Sequence, residues 1–313
     1  MKIKRSLKHG LMTLFTVLFF MAAFQGYAVT VVQDNPDEDP RLFFTSMAEF
    51  DAYMDSIIEM SDDELEIQEN SLNFYSMRKS MEENGNPRVG NDAEFVEYEE
   101  FVEDPYLASA LNPKGIIHIG TDVIVVTQYV VYRVPETEMA LIDSLDLFAV
   151  EVPPVLPGSI EGYLIEREEA LPYTLALTEG AMIQAGGNSY CYNYYASKRR
   201  LKGRTWITNW KFYASAGAWA KSQQQKKILW WKWWKSKKVT YVQVYIQHYL
   251  TILPAGTNVS GSTARIRYNA SSATHISAKA SGWGVAITGT ISSTLSLNNS
   301  GTIASCVVRI PTP

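Results

Sequence analysis

The sequence predicts an α+β fold, in which an acidic helical N-terminal region with a small β-meander precedes an all-β, sandwich-like C-terminal domain. Helix-capping patterns concentrate before residue 110, whereas short runs of β-branched and aromatic residues dominate from residue 188 onward. Charge divides the chain in the same way. Residues 29–110 carry 22 Asp/Glu against four Lys/Arg, whereas residues 181–313 carry 17 Lys/Arg and no acid. The net charge of −5 therefore conceals two oppositely charged halves.

Residues 1–28 have the pattern of an export signal. Basic residues precede an apolar core at residues 11–24, which is shorter than the roughly 20 residues of a membrane-spanning helix. Gly26 and Ala28 are the small residues that a cleavage site requires, and an uncleaved anchor is the alternative. We therefore expect an exported protein, located in the periplasm, on the cell surface or outside the cell.

The acidic half begins with a polar segment, residues 29–44, that is expected to be a flexible lead. Residues 45–150 are expected to form helices and a β-meander. Ser46 with Glu49, and Ser61 with Glu64, match the capping box that begins a helix, and Asn91 can cap a third helix. Short β-branched runs at 116–119, 123–126 and 129–134 predict the meander, and residues 140–148 could form a further helix.

The basic half is predicted to be a β-sandwich at residues 188–313, after a linker with little assignable structure at residues 151–187. Residues 239–250 alternate between apolar and polar positions, as a half-buried strand does. One face of that strand would carry Tyr241, Gln243, Tyr245 and Gln247.

Several motifs carry a resemblance to known proteins. These are the export signal, the start at residues 44–50, the step at residues 60–64 and the segment 111–120, which contains Leu111, Asn112, Gly115 and Gly120. Together they resemble a group of secreted proteins from Bacteroidetes-type bacteria. In that group a helical segment leads to a hairpin and then to a basic β region with a Trp-Lys patch, which Trp206, Trp230, Trp231 and Lys232 fit. The resemblance implies a location and a layout, and it implies no catalytic residues.

The chain contains two cysteines, Cys191 and Cys306. An even number of cysteines in an exported chain indicates a disulfide, and two buried thiols are the alternative. A bridge that closes so long a loop would stabilise the fold by about 4–5 kcal/mol in the chain-entropy model.

Residues suited to catalysis are few. The mature chain has three histidines, His118, His248 and His275, and their spacing does not suggest a metal site. A dyad of Cys191 with His248 is conceivable, but packed strand histidines are the more common case. We therefore expect no cofactor and no enzymatic activity, and a cysteine-dependent hydrolase is a remote alternative.

The most distinctive feature is a cluster of tryptophans and lysines in the basic half. Its members, taken as candidate ligand-binding residues, are Trp230, Trp231, Trp233, Trp234, Lys226, Lys227, Lys232, Lys235, Lys237 and Lys238. Arg199, Arg200, Lys202 and Arg204 could extend the surface. The tryptophans could instead pack in the core, or the lysines could serve the acidic half of the same chain.

These observations predict a non-catalytic envelope or extracellular protein whose basic, Trp-rich β domain binds an anionic polymer, a glycan or an envelope surface. No nucleic acid partner is expected for an exported chain. The alternative is a structural or assembly subunit that uses the tryptophan edge to contact another protein.

Overall fold

Most of the described structure is β, which shows that the predicted α+β class is wrong. The structure is a computed structural model with three sheets. Strands account for 56% of it and helices for 19%. It describes residues 29–33, 40–84, 102–145, 151–167, 171–173, 190–228 and 231–311. In these ranges no helix combines the length and the apolar character needed to cross a membrane.

The N-terminal helices are short. Four α-helices, which we label α1 to α4, and one 3₁₀ helix are described: Met47–Ile57, Asp62–Ser71, Met77–Asn84, Pro105–Ala110 and Glu136–Ser144. Ser61 and Glu64 form the predicted capping box at the start of α2, and the Ser46 hydroxyl accepts a hydrogen bond from the amide of Glu49 in α1. Helices of this length have little stability of their own, so they depend on what they pack against.

The N-terminal half folds around a six-stranded sheet. Its strands β1 to β6 are Thr30–Val32, Arg41–Phe44, Ile116–Ile119, Asp122–Val126, Val130–Pro135 and Glu161–Leu164, paired in that order. The predicted meander is present as β3 to β5. The segment expected to be a flexible lead supplies β1 and β2, and β2 pairs in parallel with β3 through Phe43 and His118. This pairing joins residues 75 positions apart, which explains why local patterns predicted a helical region instead.

The C-terminal half contains two further sheets. Their strands β7 to β17 are Glu166–Arg167, Leu171–Tyr173, Tyr190–Ala196, Arg199–Asn209, Tyr213–Ile228, Trp231–Ser236, Val239–Leu253, Thr257–Ala270, Ser272–Ser281, Ala286–Asn299 and Thr302–Ile310. The second sheet runs β12-β11-β10-β7, with β9 on β10 and β15 on β11. The third sheet runs β14-β13-β16-β17-β8.

The second and third sheets pack face to face, as the sandwich prediction required. Their shared core includes Leu201 and Ile207 of the second sheet and Val242 and Leu295 of the third. Cys191 of β9 is bonded to Cys306 of β17 with a Cα–Cα distance of 6.2 Å, so the predicted disulfide is confirmed and links one sheet to the other.

The turn between β10 and β11 belongs to the N-terminal core. Trp210, Phe212 and Tyr213 are fully buried there together with residues of α1 and the first sheet. The ring of Phe50 in α1 lies 5.8 Å from that of Phe212 and 5.9 Å from that of Tyr213. This apolar core therefore contains residues from both halves of the chain.

A buried carboxylate connects this turn to helix α4. Asp104 caps the helix by accepting hydrogen bonds from the amides of Tyr106 and Leu107, and its other oxygen accepts one from the Tyr213 hydroxyl at 2.9 Å. Burial raises the pKa of Asp104, although hydrogen bonds from Ser215 and Tyr213 act in the opposite direction.

Several predictions concern residues outside the described ranges. They include the export signal at residues 1–28 and the helix expected from Asn91 through residue 101. The helix suggested for residues 140–148 is described only as far as the 3₁₀ helix, which ends at Ser144.

Replacing both cysteines by serine should lower the free energy of unfolding by about 2–5 kcal/mol, because the bridge closes a long loop between the two sheets. Urea unfolding of the variant and of wild type, with and without reductant, measures this loss. Reduced wild type should behave like the variant. Equal stability of the oxidised wild type and the variant would contradict the expectation.

Substituting Asp104→Ala should lower the free energy of unfolding by about 2–4 kcal/mol, because it removes a helix cap and leaves the buried Tyr213 hydroxyl without this acceptor. Asp104→Asn keeps an acceptor oxygen and should cost less. Ser46→Ala, at an exposed cap, is the matched control and should cost about 1 kcal/mol. Equal losses in Asp104→Ala and Ser46→Ala, measured by urea unfolding, would show that the carboxylate does not join the two halves.

Candidate functional site

Of the predicted ligand-binding residues, Lys226 and Lys227 lie in β11, Trp231 to Lys235 lie in β12, and Lys237 and Lys238 follow β12. Gln225 pairs with Trp234 and Gln224 with Lys235, so β12 lies at one end of the second sheet. Side chains are described for Trp234, Lys235, Lys237 and Lys238. Trp230 lies outside the described residues, as do the side chains of Lys226, Lys227, Trp231, Lys232 and Trp233.

Trp234 is half-buried and packs against neighbouring strands. The guanidinium of Arg200 in β10 lies 4.0 Å from the centroid of its ring, and the ring of Tyr194 in β9 lies 6.0 Å away, close to perpendicular. Arg200 is held in turn by a hydrogen bond from its Nε to Gln223 at 2.9 Å. Part of this indole therefore stacks within the protein, as the packing alternative for the cluster proposed.

Cations and aromatic rings alternate on the face of the second sheet that carries Trp234. Arg200, Lys202 and Arg204 of β10 pair in register with Tyr194, Tyr192 and Tyr190 of β9. The charged groups of β10 lie between 4.0 and 5.7 Å from the centroids of rings on both sides, including Trp219 in β11. We call this arrangement the cation–aromatic face.

Half of the cation–aromatic face was predicted from the sequence. Arg200, Lys202 and Arg204, together with Arg199, were expected to extend the Trp-Lys cluster, whereas the tyrosines of β9 were not. Tyr190, Tyr192 and Tyr194 have the same two-residue spacing as the cations, which is the signal that could have revealed them. Arg200, Lys202 and Arg204 of β10 are buried, as are the Tyr190 and Trp219 rings, so ligand access is confined to the margin of this face.

That margin is basic, and we call it the basic rim. It comprises Lys198 in the turn between β9 and β10, Arg199 at the start of β10, Lys235 in β12 and Lys237 just after β12. Gln224 pairs with both Arg199 and Lys235, and the Gln225 amide donates a hydrogen bond to the Lys198 carbonyl, which brings the two segments together. Lys198 and Lys235 are exposed. Within the described ranges, no carboxylate forms a salt bridge with any of these four cations.

Other cations of the basic half are paired with acids of helices α1 and α2 or of the turn between them. Lys279 of β15 contacts Asp55 at 3.1 Å and also binds Asp51, whose pKa is lowered by that lysine and by Ser281 against the opposing effect of burial. Arg265 of β14 forms a salt bridge with Glu59. These contacts agree with the hypothesis that opposite charges of the two halves serve an internal interface.

Lys238, one of the predicted ligand-binding residues, also reaches an acid of the same chain. Its Nζ lies 3.1 Å from Asp63 of α2, and both side chains are more than half exposed. An exposed pair of this kind contributes little to stability.

The groups considered for catalysis are in structural positions. Cys191 is in the disulfide, so it offers no thiolate for the cysteine-dependent hydrolase. His118 is buried beside the Phe43 ring. Among the described residues, no group of three or more His, Cys, Asp or Glu side chains is arranged to hold a metal ion.

His248 and His275 lie near Arg265 in a poorly solvated part of the sandwich. Burial lowers the pKa of His275 to about 4, and the positive charges of Arg265 and His248 add to the effect. Burial also lowers the pKa of His248. Both rings are therefore neutral at pH 7 and contribute to packing.

No protein-family model and no curated protein matches the chain. A search of solved structures finds similarity to a DUF4848 family protein from Bacteroides thetaiotaomicron. The similarity has 14% identity and a TM-score of 0.24, and it covers 90% of this chain and 99% of that one. A score this low supports no argument about fold or function.

The free energy of unfolding should fall as the pH drops from 6.5 to 5. The unfolded chain takes up a proton on His275 near pH 6.5, whereas the folded protein resists protonation until about pH 4, so stability is lost towards the lower value. Urea unfolding at several pH values, with wild type and His275→Gln in parallel, measures the slope. The variant should show a shallower slope, and identical slopes would rule out His275 as its source.

Proposed function

We propose that the protein is an exported, non-catalytic binding protein whose basic rim contacts an anionic polysaccharide. The observation that carries the proposal is that, in the described part of the chain, some cations of the basic half are paired with acids and others are not. Those on β14 and β15 meet acids of α1, of α2 or of the turn between these helices, whereas those of the basic rim have no carboxylate partner among the described residues. A cluster of positive charge at a sheet margin attracts negatively charged polymers.

The aromatic residues beside the rim favour a polysaccharide over a simple anion. Trp234 is half-buried and directly precedes Lys235 in strand β12, so the indole and the ammonium group project from opposite faces of the same sheet edge, and a polymer that crosses this edge can contact both. Aromatic rings offer flat apolar surfaces on which rings of a ligand can stack, while lysines attract acidic substituents. A sulfated or carboxylated glycan contains both features.

Export is part of the proposal. The Cys191–Cys306 disulfide is compatible with an oxidising compartment, and residues 1–28 have the composition of an export signal. Acidic polysaccharides are abundant outside cells, where nucleic acids are a less common partner.

A second candidate function is assembly through strand β12. Within the described ranges no strand pairs with the outer edge of β12, and edge strands with free backbone groups are able to pair with another chain. In this case the Trp-Lys hairpin would contact protein instead of polysaccharide.

The mature protein should bind dextran sulfate, with an affinity that falls steeply as the salt concentration rises. In the Lys198→Gln/Lys235→Gln variant, the slope of log affinity against log salt should become shallower by about two, because two cationic contacts are lost. Fluorescence titration between 50 and 300 mM NaCl measures the slope.

The control variant Lys79→Gln/Lys114→Gln removes the same charge from the acidic half and should keep the wild-type slope. Binding that is absent, or insensitive to salt, would contradict the proposal. Self-association in a light-scattering concentration series, lost in Trp234→Ala, would favour assembly through β12 instead.

A further inference from the structure

The outer face of the third sheet has a composition quite unlike that of the basic rim. Strand β13 is the second strand of that sheet, and its residues alternate between buried and solvent-facing positions. The buried set includes Val242, Val244 and Ile246 in the sandwich core. The opposite set carries three tyrosines, two glutamines and a threonine: Tyr241, Gln243, Tyr245, Gln247, Tyr249 and Thr251.

Small and hydroxyl-bearing residues surround the central tyrosines. Tyr245 lies between Ala264 of β14 and Thr294 of β16, and Tyr249 lies between Ser260 and Thr290. Short side chains on either side leave the faces of these rings accessible. Tyr249 is 58% exposed, and Tyr268, whose ring lies 6.4 Å from that of Tyr241, is 73% exposed.

A cavity lies towards one end of this face. Its volume is about 680 Å³, which falls within the roughly 300–1,000 Å³ of small-ligand sites. Its lining includes Gln247, Tyr249, Ser262, Thr290, Ser292 and Arg309. These side chains supply amides, hydroxyls and one guanidinium, so the cavity can both donate and accept hydrogen bonds.

The face is almost without charge. Strands β13, β14, β16 and β17 contain no Asp or Glu, and Arg309 is the single cation among their outward positions. Arg265 and Arg267 of β14 pair in register with the buried Val244 and Val242, which places them on the opposite side of the sheet. A charged polymer would find little electrostatic attraction here, whereas the binding of a neutral ligand does not depend on such attraction.

We propose that this face, which we call the tyrosine face, binds a neutral polysaccharide chain. Tyrosine rings offer flat apolar surfaces for stacking against sugar rings, and they lose little conformational freedom when they bind. Glutamine amides and Ser/Thr hydroxyls match the mixed donors and acceptors of sugar hydroxyls.

The dimensions of the tyrosine face indicate a chain instead of a single sugar. Tyr241, Tyr245 and Tyr249 are four residues apart along β13, which places successive rings about 14 Å from one another in an extended strand. Three rings in a line therefore span several sugar units. The row ends at the cavity beside Tyr249, which can accept a side branch or a chain end.

This site is independent of the basic rim, because it lies on a different sheet and uses no cationic cluster. Binding of a neutral glycan should survive in 1 M NaCl, where the Debye length is only about 3 Å and the contacts of the basic rim are screened. Failure of one site can therefore be distinguished from failure of the other.

Affinity gel electrophoresis of the mature protein tests the proposal, with β-glucan, xyloglucan, galactomannan and soluble starch as neutral probes. At least one of them should retard the protein. Tyr245→Ala/Tyr249→Ala should weaken that retardation tenfold or more, and Gln247→Ala, which removes hydrogen bonds but no ring, should weaken it to a smaller degree.

Tyr129→Ala removes another exposed tyrosine, near the start of β5, and is the matched control that should bind as wild type does. Unchanged thermal midpoints of the variants show that the fold is intact. The proposal is overturned if no probe retards the protein, or if the double variant is retarded as strongly as wild type. Concentration-dependent self-association that the double variant abolishes would also overturn it, by identifying the face as an interface between two copies.

Discussion

The buried contact between Asp104 and Tyr213 is the constraint on which the arrangement of the two halves depends. Asp104 satisfies two amides at the start of helix α4 and also the hydroxyl at the start of strand β11. Because the carboxylate is fully buried, losing either set of partners would leave a polar group unsatisfied away from water. The contact therefore keeps the β10–β11 turn, with Trp210 and Phe212, inside the N-terminal core. The helices of the acidic half are too short to build that core without the residues of this turn.

This arrangement brings opposite charges of the two halves into contact. Once the turn is seated, helices α1 and α2 lie against β14 and β15, and acids such as Asp51 and Asp55 meet Lys279. A segment so rich in acids would repel itself in isolation, and the cations of the sandwich offset that repulsion. Only part of the basic half is used in this way, since the four cations of the basic rim form no salt bridge with a carboxylate among the described residues.

The sequence predicted those features that depend on short-range patterns. The capping box of Ser61 and Glu64, the alternation along β13 and the β-rich nature of the basic half are all encoded within about ten neighbouring residues. The pairing of Cys191 with Cys306 was predictable because no other cysteine was present. The fold class was not predictable in this way, since β2 is only four residues long and its partner β3 lies about 75 positions away. For the same reason, the sequence indicated the cations of β10 but not their stacking on Tyr190 and Tyr192, which requires the register between β9 and β10.

The distribution of cations over the sandwich also argues that its surfaces are specialised. Residues 181–313 contain 17 Lys/Arg, so an even distribution would place several of them on each exposed face. Charged side chains are also the usual protection against unwanted association of exposed β-structure. The outer face of the third sheet nevertheless carries one arginine, Arg309, and presents tyrosine and glutamine along β13 and threonine and serine along β16. Arginines of the adjoining strand β14 are turned towards the acidic helices instead. The domain as a whole is basic, so this face is neutral and aromatic because the cations are placed elsewhere on the sandwich. Such a placement of cations is what a surface that binds a neutral ligand requires.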